Sequence, residues 1–117
     1  MKLIISILIV IVALEHIYFL ILEMFFWTKP KGLKTFGLKK EQAESSKVLA
    51  ANQGLYNGFL AAGLLWGLIS DQFSVVIFFL ICVSVAGIYG SYSTKKSKLF
   101  YVQSIPAMIA LLLIFIF

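Results

Sequence analysis

Apolar residues fall into four long blocks separated by short polar joints. The blocks run from Leu3 to Trp27, Lys47 to Ile69, Phe73 to Tyr92 and Leu99 to Phe117. Each is close to the ~20 residues that a helix needs to cross a bilayer core. The joints carry turn and helix-breaking chemistry: Thr28 to Ser46 holds Pro30, Gly32, Gly37 and the stretch KKEQAESS, Ser70-Asp71-Gln72 is a tight link, and Ser93 to Lys98 reads STKKSK. The pattern predicts an all-α fold, a polytopic four-transmembrane-helix bundle formed as a single domain over residues 1–117. Lys2 ahead of an apolar run resembles a signal peptide, but the run lasts 25 residues and lacks a small-residue cleavage site. It is expected to stay as a helix of the mature protein.

Composition agrees with a bilayer. Hydrophobic residues make up 62% of the chain and charged residues 13%, with a mean hydropathy of +1.02. A soluble domain carries about 25% charged residues. The net charge of +5 comes from lysine alone, without arginine, which argues against a nucleic-acid partner, where bidentate guanidinium contacts are heavily used. Cys82 is the one cysteine and lies inside an apolar block, so no intrachain disulfide or thiolate cluster can form.

The lysines also orient the chain. With four spans, the first and third joints share one side, and Lys29, Lys31, Lys34, Lys39, Lys40, Lys47, Lys95, Lys96 and Lys98 belong to them or border them. The other side has Lys2 and Asp71. The positive-inside rule then puts both termini outside and the basic loops in the cytoplasm. Leu33, Phe36 and Leu38 between the lysines suggest that the first loop lies along the anionic inner surface, although setting topology is the simplest role of these lysines.

Polar residues inside the blocks call for an explanation, since an ionisable residue at the centre of a span costs about 2.5–3.5 kcal/mol on insertion scales. In the first block, His16 and Glu23 are about 20° apart on a helical wheel and about 10.5 Å apart along the axis. Glu15 lies about 80° from Glu23, on the same side. In the second block, Asn52 and Tyr56, and Gln53 and Asn57, recur at i, i+4 and make a polar stripe at the depth of Glu23. Ala50, Gly54, Gly58 and Ala62 make a small-residue stripe about 130° round from it, suited to close helix approach. The third block gathers Ser84, Gly87 and Tyr89 toward the same end, and the fourth brings Gln103 and Ser104 ahead of Pro106. These positions imply a polar cavity open to the cytoplasm, with Glu15 and His16 as its floor. The simpler alternative is that the same groups hydrogen-bond helix to helix, at about 0.6 kcal/mol per pair.

The stretches LEHIYFLILEMFFW and AANQGLYNGFLAAGLLWG together resemble a widespread family of small bacterial four-helix integral membrane proteins known only as a domain of unknown function. The family pattern centres on Glu15, His16, Glu23, Asn52, Gln53, Gly54, Asn57 and Gly58, all present here. The resemblance implies the fold and topology, covers essentially the whole chain, and brings no activity. With the lysine-only loops it points to the bacterial plasma (inner) membrane.

Three functional classes follow. The first is a binding protein, with or without catalysis, for a small amphipathic or lipid-like ligand. In it Glu15, His16 and Glu23 are candidate proton-transfer groups, and Asn52, Gln53, Tyr56, Asn57, Gln103 and Ser104 are the ligand-binding groups. The second is a proton-coupled exporter like the small multidrug transporters, similar in length, span number and a glutamate on the first helix, and needing a homodimer to form a pathway. The third is a structural or accessory membrane subunit. No cofactor motif is present, and no metal is expected: adjacent Glu15 and His16 point about 100° apart and there is no second histidine. The lipid bilayer is the expected partner.

Overall fold

The computed structural model describes residues 2–117, apart from the side chains at 99 and 100. Residue 1, where the expected domain begins, lies outside the described residues. The described residues form five helices: α1 (Lys2–Phe25), α2 (Pro30–Phe36), α3 (Lys40–Ile69), α4 (Phe73–Thr94) and α5 (Ser97–Ile116). The fold is all-α, but with five helices where four were expected.

The additional helix, α2, lies in the first basic joint and has local causes. Pro30 opens it at a position where a missing N–H costs nothing, and Gly37 closes it in the left-handed region at φ 63°. The Leu38 N–H then reaches back to the Leu33 carbonyl at 2.9 Å. Helix α3 starts at Lys40, seven residues before the expected Lys47. The side chain of Gln42 accepts from the Lys39 backbone N–H at 2.9 Å, so KKEQAESS begins as a capped helical turn.

Two helices, Lys2–Phe25 and Phe73–Thr94, are long and apolar enough to cross a membrane. The apolar run from Tyr101 to Ile116 is shorter. In α3 the polar stretch ahead of Val48 and the amides at 52, 53 and 57 dilute the apolar character.

Contacts divide the chain into two compact units, Met1–Glu15 with Leu60–Phe117, and His16–Phe59. In the first, α4 and α5 pack against each other across the two-residue link Lys95-Lys96. Buried Val76, Leu80, Val83, Ser84 and Gly87 form the packed face of α4, and Ser104, Ala107 and Ala110 that of α5. The end of α3 packs on the start of α4: a methyl group at Gly67 would lie 2.8 Å from a Val76 methyl, and one at Gly63 would overlap the Phe79 ring. Asp71, at φ 57°, makes the turn between them, while the Gln72 N–H bonds the Gly67 carbonyl at 2.8 Å. Lys2 lies 3.9 Å from Asp71 in an exposed pair, and a cavity of about 360 Å³ at that end is lined by Lys2, Ile5, Phe73, Ile114 and Phe117. The start of α1, the start of α4 and the end of α5 therefore share one end of this unit.

In the second unit the last turns of α1 run antiparallel to α3. Leu20 meets Gly58, and Met24 meets Gly54. The Trp27 ring lies on Phe36 with centroids 4.9 Å apart, and its Nε1–H donates to the Ser46 hydroxyl at 3.1 Å. Gly32 is buried against the Phe26 carbonyl, where a side chain would collide with the backbone. The end of α1, all of α2 and the start of α3 are thereby tied together.

Candidate functional site

Close approach of α1 and α3 creates the site. A methyl group at Gly54 would lie 2.8 Å from Met24 Cγ, 3.1 Å from Glu23 Cβ and 3.2 Å from the Leu20 carbonyl oxygen. A methyl group at Gly58 would lie 2.6 Å from a Leu20 methyl. Glycine at both positions lets the helices approach closely. One turn from Gly54, this brings the Asn57 amide onto the Glu23 carboxyl, with Nδ2 donating to Oε1 at 2.5 Å. Glu23 is 9% exposed and Asn57 is 6% exposed.

His16 is fully buried and stands edge-on to Phe19, with centroids 5.6 Å apart. It lies on the buried seam of α1 with Ile9 and Glu23, at a seven-residue spacing. Glu15 belongs to the other unit. It is half-buried, and its Oε1 is enclosed without a hydrogen-bond partner among the described residues.

The remaining residues of the expected polar cavity are placed differently. Asn52 is exposed and turns its amide back to the Val48 carbonyl at 2.9 Å. Gln53 is exposed, and Tyr56 is exposed with its ring 6.2 Å from Phe59. Gln103 is half-buried in the other unit. Ser104 is fully buried and donates to the Ser84 carbonyl at 3.1 Å, while Ser84 donates to the Leu80 carbonyl at 2.8 Å. Gly87 makes room for this contact, since a methyl group there would overlap the Ser104 hydroxyl. Of the nine expected site residues, the structure joins Glu23 to Asn57 directly and puts His16 on the same buried seam. Ser104 meets Ser84, a pairing not anticipated from sequence; the signal was the small-residue spacing of Ser84 and Gly87. Among the described residues no three His, Cys, Asp or Glu side chains converge as metal ligands would.

A carboxyl buried against an amide, at a crossing of closely packed helices, can accept a hydrogen bond or a positive charge from a bound molecule. It can also donate when protonated. It offers no activated nucleophile and no phosphate cradle.

Fold and site together define an all-α protein with two helices fit to cross a membrane and a buried acid–amide pair between α1 and α3. The chain belongs to the family described as "Protein of unknown function (DUF1304)", whose profile matches residues 10–115. It is similar to uncharacterized protein YpaA of Lactococcus lactis subsp. lactis (strain IL1403), with 35% identity over 106 residues covering 87% of this chain and 88% of that protein. No solved structure matches the chain. The membership expected from the motifs around Glu15 and Asn52 stands, and it extends over both.

Proposed function

We propose that the protein is a multi-pass protein of the bacterial plasma membrane that binds a small amphipathic or lipid-like molecule at the Glu23–Asn57 pair. In this reading α1, α3, α4 and α5 are the four spans of one domain, both termini are outside, and the lysine-rich joints face the cytoplasm. Support for the spans comes from helix length, from the shared end of α1, α4 and α5 in one unit, and from the antiparallel α1–α3 crossing in the other. Asn57 and Glu23 lie toward the Trp27 end of α1, where the lysines accumulate, so a ligand reaches them from the cytoplasmic leaflet.

The observation that carries the proposal is the buried Glu23–Asn57 hydrogen bond at the close crossing of α1 and α3. An intramembrane carboxyl is costly if it has no further use. His16, one heptad away, adds a group able to exchange protons near neutral pH, so proton transfer to the ligand belongs to the chemistry allowed. Native mass spectrometry of protein purified in mild detergent tests the reading, comparing wild type with the Glu23→Gln, Asn57→Leu double variant. A specific bound mass present in the wild type and absent from the variant is expected. The same bound species on both proteins would refute the site.

A further inference from the structure

The first basic joint is folded and pinned down, and this changes what its lysines can do. Lysines whose only task is topology can sit on a flexible loop. Here Gly32 backs onto the Phe26 carbonyl, Trp27 packs against Phe36 in a tilted ring contact and bonds Ser46, and Ser46 itself donates to the Gln42 carbonyl at 2.6 Å. Lys29, Lys31, Lys34, Lys39 and Lys40 stand exposed on this braced segment, and none has an acidic partner among the described residues. The salt bridge of the region is Lys47 to Glu44 at 3.5 Å, outside those five. Like charges fixed on a short rigid segment repel one another, and a surface dense in negative charge relieves that repulsion. Half-buried Leu33 and Leu38 lie among the lysines. A basic surface with apolar side chains at the end of a membrane-length helix matches the chemistry of a leaflet interface.

We propose that α2 and its flanks form a docking surface selective for anionic phospholipid headgroups, distinct from the Glu23–Asn57 pair. The inference rests on the membrane reading above and not on the ligand site, so Glu23 and Asn57 variants leave it intact.

The test uses the full chain in bilayer nanodiscs with Trp66→Phe, which leaves Trp27 as the sole tryptophan. Its fluorescence is quenched by brominated phosphatidylglycerol or, at the same mole fraction, by brominated phosphatidylcholine. Stronger quenching by the anionic lipid is expected, falling toward equality as salt is raised to about 0.5 M, where charges farther apart than a few ångströms are screened. The Lys31→Gln, Lys34→Gln, Lys39→Gln variant is expected to reduce the preference at least about fivefold, the effect of one lysine near such a surface. The corresponding triple arginine variant is expected to restore it. Equal quenching by the two lipids in the wild type at low salt would overturn the proposal, and quenching by neither would overturn the membrane reading with it. Tight binding of a short oligonucleotide with the same lysine dependence, without lipid preference, would overturn it in favour of a nucleic-acid partner.

Discussion

Removing the Glu23–Asn57 bond from either side, and then from both, tests whether the pair serves the fold or a bound molecule. Asn57→Leu leaves the Glu23 carboxyl without its donor at a position 9% exposed. Glu23→Met, close in shape, leaves the Asn57 amide without its acceptor at a position 6% exposed. An orphaned buried polar group costs about 1–3 kcal/mol, and each single variant is expected near the lower end, about 1 kcal/mol, because helices in a membrane find other polar partners for such a group. The double variant removes both polar groups and is expected within about 1 kcal/mol of wild type, because replacing a buried polar pair with apolar side chains of similar shape is close to neutral. Interhelical bonds in membranes average about 0.6 kcal/mol and reach about 1.7. Both groups are buried and in direct contact, so a coupling of about 1–1.7 kcal/mol is expected. Reversible unfolding in mixed micelles, followed by far-UV circular dichroism as denaturing detergent is added, supplies the four stabilities. A coupling below about 0.5 kcal/mol, the range in which independent sites add, would refute the reasoning.

Three further outcomes follow from other contacts. Gly87→Ala is expected to lose about 1–3 kcal/mol by overpacking against the Ser104 hydroxyl, whereas Gly90→Ala, with nothing within 4 Å, is expected to gain up to about 1 kcal/mol from helix propensity; thermal unfolding that ranks Gly87→Ala at or above Gly90→Ala would contradict the α4–α5 contact. Gly37→Ala places a side chain at φ 63° and is expected to cost about 1 kcal/mol and to loosen α2, measured as faster amide exchange at Leu38; unchanged exchange would refute that role for Gly37. Glu15→Gln keeps the shape of a side chain whose Oε1 has no partner, so stability within about 0.5 kcal/mol of wild type is expected, and a larger loss in thermal unfolding would show that Glu15 makes a bond the structure lacks.

The helix seams explain which parts were legible from sequence. Membrane-length α1 and α4 and the tight turn at Ser70 to Gln72 follow from apolar run length and polar punctuation. Placing His16 and Glu23 on one face of α1 needed only the near-integral number of turns in seven residues, and both are buried. For α3, i, i+4 spacing put Ala50, Gly54, Gly58 and Ala62 on one stripe and Asn57 on another. The structure instead buries Ala50, Gly54, Asn57, Ala61 and Leu64, a line stepping alternately four and three, and exposes Ala62. The cause is geometric. Each step of four residues rotates about 40° past a full turn, so a stripe of fours winds off the contact line, while alternating fours and threes stay on it. Asn57 therefore belongs to the packed face, while Asn52, Gln53 and Tyr56 fall outside it. Helix α2 was hidden because seven residues are too few for periodicity to declare a helix; Pro30 and Gly37 carried the signal as its start and stop.

The position of the acid–amide pair on the packed seam admits a competing role. A polar residue at a core position of paired helices can fix their register at some cost in stability. Glycine at 54 and 58 already fixes this crossing sterically, since Met24 and Leu20 occupy the space that other side chains would need. A register role therefore adds little to what the backbone contact imposes. The two roles separate in the Glu23→Met, Asn57→Leu protein. If the pair sets register, the variant remains helical but loses a unique α1–α3 alignment, and cysteines at Trp27 and Ser46, joined by a short bifunctional reagent with both glycines left in place, crosslink no faster than pairs displaced by one turn. If the pair serves a bound molecule, the Trp27–Ser46 crosslink keeps its wild-type preference and only the bound molecule is lost. The glycine contacts favour the second outcome, because they remain in place when both polar groups are gone.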